Sequence, residues 1–263
     1  MLPTYFISHG GGPWPYMPDM RAMLATLETA LADMPNQLTE QPKAILMISG
    51  HWETKKLAVQ SSPAPGMEYD YYGFPEHTYS VKYAAPGSPE VAARVAELLS
   101  AAGMPVDLDD KKGYDHGAFT PMEIMYPNKN MPLIQLSLKN NLDPAEHLAI
   151  GRALRPLREE GVLIVGSGLS YHNLRLFGAQ AKVPSAQFDE WLQTTLMSSS
   201  PEQRHERIVA WDKAPQARVC HPREDHFIPL MVALGAAEEA EATRVYHDKN
   251  VFGGVTASSY RFD

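Results

Sequence analysis

The chain has little cysteine and no long hydrophobic run. Cys220 is the only cysteine among 263 residues, so no internal disulfide can hold the fold together. No apolar stretch approaches the ~18 residues that a membrane span needs, and the first residues lack the basic and apolar regions of a signal peptide. The 18 glycines and 22 prolines are too few for a collagen-like or low-complexity chain. We therefore expect a globular, cytoplasmic protein without a membrane partner.

Excess positive charge and the common phosphate-binding motifs are also missing. The chain has 31 acidic and 23 basic residues, a net charge of −8, and a pI near 5.7. This balance argues against binding to a phosphate backbone, so we expect no nucleic-acid partner. Gly10–Gly12 follow a strand-like run, but neither G-x-G-x-x-G nor G-x-x-x-x-G-K-[ST] is present. The segment Gly166–Gly168 does not form the G-x-S-x-G turn of a hydrolase.

What the sequence does contain is an alternation of short apolar runs and helical patterns. The runs that predict strands are 5–7, 44–48, 79–83, 133–138, 162–165, 243–247 and 255–260. The patterns that predict helices are 20–34, 88–103, 143–161, 185–197 and 225–234. Near-continuous apolar strands indicate a sheet covered on both faces. We predict one α/β domain over residues 1–263, with a central mixed, largely parallel sheet flanked by helices. The proline-rich segment 62–75 is interpreted as an active-site loop.

Histidine is abundant, with ten in the chain, and three of the ten occupy one topological position. His9 follows the first strand-like run, His51 follows the second, and His172 follows the run 162–165 after a short glycine-containing turn. In open α/β sheets, the carboxyl ends of the strands line the ligand crevice. The spacing therefore predicts a converging imidazole cluster. The alternative is that each histidine is an ordinary hydrogen-bonded residue in a turn.

Two further histidines are candidates for the same cluster. His116 lies on a predicted turn between Asp115 and Gly117, and His226 opens the predicted helix 225–234. The N-terminus of a helix lowers the pKa of a nearby histidine, which keeps the ring neutral and able to bind a metal. Five candidate imidazoles with carboxylates nearby predict a metal site at the carboxyl ends of the strands.

Six short motifs occur in one order along the chain. They are Ser8-His9-Gly10-Gly11-Gly12-Pro13, Ser49-Gly50-His51-Trp52-Glu53, Tyr72-Gly73-Phe74-Pro75, Ala85-Pro86-Gly87-Ser88-Pro89, Asp115-His116-Gly117 and His221-Pro222-Arg223-Glu224-Asp225-His226. Together they resemble the DOPA-dioxygenase-type branch of the class III extradiol ring-cleavage dioxygenases, in the superfamily of the protocatechuate 4,5-dioxygenase beta subunit. The resemblance implies one divalent metal ion per chain and O₂-dependent opening of a catechol, such as DOPA or another 3,4-dihydroxyphenyl compound.

The resemblance also assigns roles to individual histidines. His9, His51 and His226 would be metal ligands, His172 a fourth ligand or the catalytic base, and His116 an acid or base beyond the ligands. Class III enzymes more broadly supply a carboxylate as third ligand, so Glu224 and Asp225 are alternatives to His226. An all-histidine site suits either Fe(II) for ring cleavage or Zn(II) as purified.

Two other functions are compatible with the same residues. A zinc-dependent hydrolase could use His172 or His116 as the base for a zinc-bound water. A non-catalytic metal-binding protein could keep the pocket without turnover. For the leading hypothesis, the expected partners are a small catechol and O₂, and we expect a monomer or a small homo-oligomer.

Overall fold

The computed structural model describes residues 1–263, and its centre is one eight-stranded sheet. The strands are β1 (Thr4–Ser8), β2 (Ala44–Thr54), β3 (Ala58–Gln60), β4 (Asp107–Asp109), β5 (Leu133–Lys139), β6 (Val162–Gly168), β7 (Ala242–Val251) and β8 (Val255–Phe262). Their order in the sheet is β4-β3-β5-β2-β6-β1-β8-β7. Every residue of β1 and β6 is buried, as expected for strands covered on both faces.

The four central strands, β5, β2, β6 and β1, are parallel, and the pairs β3–β5, β1–β8 and β7–β8 are antiparallel. The predicted α/β class with a mixed, largely parallel sheet is therefore confirmed. Ser8 pairs with Gly168 and Ser49 pairs with Ser167, so β1 and β6 end at the same edge, and β2 leaves its pairing with β6 there and continues through His51 to Thr54. The pairing of β2 with β5 shifts register between Ile48 and Glu53, which places an irregularity at His51.

Ten α-helices and five short 3₁₀ turns surround the sheet. The α-helices are α1 (Pro18–Met23), α2 (Ala25–Asp33), α3 (Pro89–Ala101), α4 (His116–Met125), α5 (Pro144–Leu154), α6 (Pro156–Glu159), α7 (Lys182–Ser198), α8 (Pro201–Val209), α9 (Ala217–Cys220) and α10 (Pro229–Gly235). The 3₁₀ turns are Trp14–Tyr16, Met34–Gln37, Glu76–Tyr79, Gly178–Ala181 and Trp211–Lys213. None of these helices combines the length and apolarity needed to cross a membrane.

Two predicted helix starts are confirmed by their capping contacts. The Ser88 hydroxyl accepts a hydrogen bond from the Val91 N–H at the start of α3. The Asp143 carboxylate accepts one from the Glu146 N–H at the start of α5. The predicted helix 20–34 is instead two helices, because Leu24 leaves the helical conformation between α1 and α2.

Three further predictions were wrong in detail. The helix predicted from residue 225 begins only at Pro229, because the His226 carbonyl accepts from the Leu169 N–H and ties this segment to the end of β6. His116 does not lie on a turn; it is the first residue of α4, which Asp115 caps. Residues 79–83 form no strand, because the Tyr69 hydroxyl takes the Val81 carbonyl that strand pairing would use.

Helices α5 and α10 cross with their backbones in close approach. A Cβ atom at Gly151 would overlap the Val232 carbonyl oxygen, and one at Gly235 would overlap the Leu148 carbonyl oxygen. Helix α10 also packs on β1, β2 and β6, and it begins three residues after His226. The crossing therefore fixes the segment that carries His226 against the sheet.

We predict that Gly151→Ala lowers the free energy of unfolding by about 1–3 kcal/mol, because the added methyl group forces the two helices apart. Alanine favours the helical conformation over glycine by ~1 kcal/mol, so any decrease in the free energy of unfolding must come from the contact between α5 and α10. Urea-induced unfolding followed by circular dichroism measures the effect. Gly66→Ala is the matched control, since no atom lies within 4 Å of its added Cβ. Equal free energies of unfolding for Gly151→Ala and Gly66→Ala would contradict a close approach of the α5 and α10 backbones.

Candidate metal centre

Three histidine side chains from separate parts of the chain converge at the carboxyl edge of the sheet. The Nε2 atoms of His9 and His51 are 3.2 Å apart, and those of His51 and His226 are 3.0 Å apart. His9 and His226 are buried, and His51 is half-buried. The spacing predicted that His9, His51 and His172 converge; the structure brings His9 and His51 together with His226, the ligand set that the family resemblance implied.

Two glycines allow the segment of His226 to reach the other two rings. A Cβ atom at Gly50 would lie 3.0 Å from the Asp225 carbonyl oxygen and 3.2 Å from the His226 Cα. A Cβ at Gly168 would overlap the His226 carbonyl oxygen. The chain before α10 therefore lies directly against the ends of β2 and β6, where any larger residue would push it away.

Each of the three rings has an acceptor for its Nδ1 proton. The Ser167 hydroxyl donates to the Gly117 carbonyl, so its oxygen accepts from His9 Nδ1 at 3.1 Å. His51 Nδ1 lies 3.2 Å from an Asp70 carboxylate oxygen, and His226 Nδ1 lies 3.0 Å from an Asp225 carboxylate oxygen. These partners place the proton of each neutral ring on Nδ1. All three Nε2 atoms therefore carry lone pairs.

The electrostatics of the cluster keep the rings neutral. Burial, together with the neighbouring histidines, lowers the pKa of His9 and of His226 well below the usual value. Burial also lowers the pKa of His51 to about 4, although Asp115 and Asp70 oppose this change. Neutral imidazoles are the form that binds metal ions.

The donor set fits a divalent metal ion. The Nε2 lone pair of His51 lies about 3 Å from those of His9 and His226, and in a buried site such lone pairs repel one another unless a cation lies among them. Histidine nitrogens are common ligands of divalent ions such as zinc, so His9, His51 and His226 would hold one such ion. The hydrogen bonds to Nδ1 are the outer contacts that orient metal-binding histidines.

His172 lies beside the cluster but does not join the three converging nitrogens. Its ring stacks on His226, with centroids 3.5 Å apart and planes inclined by 20°. Neither ring nitrogen of His172 makes a hydrogen bond, and its Nδ1 is 3.9 Å from an Asp225 carboxylate oxygen. The stacking places the His172 ring over the face of the His226 ring, although ligand atoms of His172, Asp225 and His226 lie within 4.8 Å of one another. This geometry favours the interpretation of His172 as a base over that of a fourth ligand.

His116 contacts the cluster from the other side, and it brings in a residue that the sequence analysis missed. Its ring centroid is 3.9 Å from that of His51, and its Nδ1 donates to Asp70 at 2.9 Å. Asp70 therefore binds His116 with one oxygen and His51 with the other. Burial of Asp70 opposes ionisation, but the bonds from His116 outweigh it and lower its pKa to about 2. The only sequence feature that pointed to Asp70 was its position in the proline-rich loop 62–75, which was predicted to border the active site.

The two alternative third ligands lie outside the three-nitrogen cluster. The Glu224 carboxylate pairs with Arg218 at 2.5 Å. Asp225 directs one oxygen to His226 Nδ1 rather than toward the three Nε2 atoms. The other oxygen of Asp225 is buried, makes no hydrogen bond and lies 3.9 Å from His172 Nδ1. Glu224 is therefore already paired, whereas Asp225 keeps one oxygen free beside His172 and His226.

A cavity of about 570 Å³ opens beside the histidines. All five candidate histidines line it, as do Tyr71, Tyr72 and Phe74 of the predicted active-site loop. Tyr69 lies behind this wall, where its ring packs edge-on against Tyr71. A cavity of this volume accommodates a small aromatic molecule next to the donor set.

Comparisons with known proteins agree with this geometry. The family described as the catalytic LigB subunit of aromatic ring-opening dioxygenase matches residues 4–263. A Beta vulgaris protein named 4,5-DOPA dioxygenase extradiol is 40% identical, with 98% of this chain and 96% of the relative covered. A protein of the same name from Mirabilis jalapa is 36% identical, covering 100% and 97%. The crystal structure of an uncharacterized Escherichia coli K12 protein superposes with a TM-score of 0.79 at 28% identity, covering all of both chains.

We predict that His9→Ala, His51→Ala and His226→Ala each lose bound divalent metal while the fold is retained, because one of three nitrogens is removed at the end of an element. Elemental analysis and titration with Fe(II) or Zn(II) measure binding, and circular dichroism checks the fold. His77→Ala is the control, since His77 is exposed and outside the cluster. Full metal occupancy in His226→Ala would transfer the third-ligand role to Glu224 or Asp225.

Proposed function

Because this chain belongs to the LigB family of aromatic ring-opening dioxygenases, and is an extradiol ring-opening dioxygenase, we propose that it opens the ring of a catechol with O₂. The substrate would be a 3,4-dihydroxyphenyl compound. The observation that carries the proposal is the set of three unprotonated Nε2 atoms beside a cavity of about 570 Å³. This arrangement offers three ligands and an adjacent space for two neighbouring hydroxyl groups.

His9, His51 and His226 would hold one divalent ion. When bound, Fe(II) would supply the exchange of electrons between catecholate and O₂ that Zn(II), which has no redox chemistry, does not supply. The histidines are neutral ligands, so the site keeps the full 2+ charge and lowers the pKa of a bound hydroxyl group. We therefore propose Fe(II) as the ion of the active enzyme.

The loop 62–75 would position the ring of the substrate. Tyr71 packs edge-on against His116 at 5.9 Å, and Tyr71 also packs against Phe74 at 5.5 Å. Such edge-to-face contacts form a rigid wall with flat faces. An aromatic substrate would lie along this wall with its hydroxyl groups toward the three histidines, and water would be excluded from that end of the cavity.

His172 would take the proton of the catechol. Burial lowers its pKa, although Asp225 opposes this, so the ring is neutral at pH 7. Both of its ring nitrogens are free of hydrogen bonds, and the ring lines the cavity. A neutral imidazole in this position is a general base. His116, whose Nδ1–H is fixed by Asp70, would offer Nε2 to hold or return a proton on the other side.

The proposal predicts O₂ consumption and a yellow ring-fission product after anaerobic reconstitution with Fe(II) and addition of a catechol. Oxygen uptake and visible absorbance measure the reaction, and a matched monophenol should give neither signal because it lacks the second hydroxyl group. The His51→Ala variant is the negative control. Equal turnover of monophenol and catechol would contradict the proposal that the substrate binds through two neighbouring hydroxyl groups. Zinc in the purified protein, with ester or amide hydrolysis and no O₂ uptake, would support the hydrolase instead.

We also predict that His172→Gln keeps its metal and its affinity for catechol while kcat falls by ~10²–10⁴-fold, the usual contribution of a general base. Steady-state oxygen uptake gives kcat, and elemental analysis gives the metal content. His77→Gln, an exposed histidine replaced in the same way, should leave both unchanged. Loss of metal from His172→Gln would make His172 a fourth ligand.

A further inference from the structure

The cavity has a polar end and an apolar end. The histidines form the polar end. The rest of the wall includes tyrosines and apolar side chains from the α1–α2 segment and the β7–β8 hairpin, among them Met20, Leu24, Leu27, Val251 and Phe252. A substituent directed away from the histidines would therefore meet mainly hydrocarbon.

Neither lysine nor arginine lines this cavity, although the chain has 23 of them. The charged residues in its wall are Asp70 and Asp225, both carboxylates that already accept from histidine rings. A negative substituent on the substrate would therefore find no counter-charge in the apolar end. Burying an unpaired carboxylate costs several kcal/mol.

The entrance of the cavity is apolar as well. Tyr72 is 92% exposed, Leu174 is 69% exposed and Phe177 is 41% exposed, and all three line the cavity. Phe177 also packs edge-on against Phe252 of the interior wall, with centroids 5.5 Å apart. Large apolar side chains exposed together at a cavity mouth mark a contact surface for an apolar partner. The apolar wall thus continues from the interior to the surface.

We propose, on the basis of the function proposed above, that the substrate is a catechol with an uncharged, apolar ring substituent rather than an amino-acid side chain. The two hydroxyl groups lie toward His9, His51 and His226, and the substituent lies along Met20, Leu24 and the β7–β8 hairpin. The polar end recognises the diol, and the apolar end selects the substituent.

The first test compares catechol, 4-methylcatechol, 4-propylcatechol, 3,4-dihydroxyphenylacetate and DOPA. On the Fe(II)-loaded enzyme, kcat/KM from oxygen uptake should rise about fourfold for each added methylene, from ~0.8 kcal/mol per buried CH₂. 3,4-Dihydroxyphenylacetate, an anion, and DOPA, a zwitterion, should both be at least about tenfold poorer than 4-propylcatechol, because the apolar wall offers no partners for their charged groups. A preference for the carboxylate-bearing compounds would overturn the proposal and direct attention to the backbone N–H groups of Gly10–Gly12, which line the same cavity.

The second test places a cation in the apolar wall. Met20→Lys should raise the ratio of kcat/KM for 3,4-dihydroxyphenylacetate to that for 4-propylcatechol by about tenfold, the effect of a modest ion pair of ~1.4 kcal/mol. Met23→Lys is the matched control, because Met23 lies on the same helix, is 53% exposed and is outside the cavity wall. Equal ratios in the two variants would show that the substituent does not reach this wall.

Calorimetric binding to the Zn(II)-loaded protein, in which the ion has no redox chemistry, separates this proposal from the proposed function. Affinity for the same series should increase with alkyl length even without turnover. If no catechol is turned over but affinity still rises with chain length, the dioxygenase function fails and the apolar preference of the cavity stands. If catechols are turned over and affinity does not depend on chain length, the function stands and the apolar preference is wrong.

Discussion

The site depends on three neutral imidazoles whose lone pairs face one another. His9, His51 and His226 bring their Nε2 atoms within about 3 Å of a neighbour in a buried setting, where like dipoles repel. An acceptor at Nδ1 holds the single proton of each neutral ring on that atom, which leaves the lone pair on Nε2. The rings do not hold one another in place. The fold must hold them against their mutual repulsion until a cation supplies the missing attraction.

The strands and helices around the cluster hold the three rings in place against this repulsion. Parallel strands β1 and β6 end at one edge, where β2 leaves its pairing with β6, and these strands set two of the rings on a rigid base. The third ring lies in a segment that Gly50 and Gly168 allow to approach the sheet and that the crossing of α5 and α10 presses against it. On the proposed ligand set, the stability of the helix crossing and metal binding would be linked, because loosening the crossing would release His226 before His9 or His51.

The sequence predicted which strand ends carry the histidines. It did not predict contacts that depend on side-chain rotamers or on loops folding back. His9 and His51 follow buried apolar runs, so the topology of a parallel sheet brings them together without knowledge of side-chain orientation. The stacking of His172 on His226 depends on the rotamers of two loop residues, which no periodicity records. Asp70 reaches two histidines from a loop distant in sequence, so its partners follow only from the folded chain. Strands β3 and β4, at three residues each, are too short for an alternating pattern.

The residues that would carry out the reaction and the residues that would select the substrate come from different parts of the fold. The histidines are fixed by the sheet and by hydrogen bonds to Ser167, Asp70 and Asp225, so a substitution among them disturbs the charge balance of the whole cluster. The apolar wall instead comes from α1, α2 and the β7–β8 hairpin, which make no hydrogen bond to the ligand rings. Side chains there can change in size or charge while the three Nε2 atoms keep their positions. On the proposed function, one metal centre on this scaffold would serve different ring substituents, and the wall without lysine or arginine would suit an uncharged one.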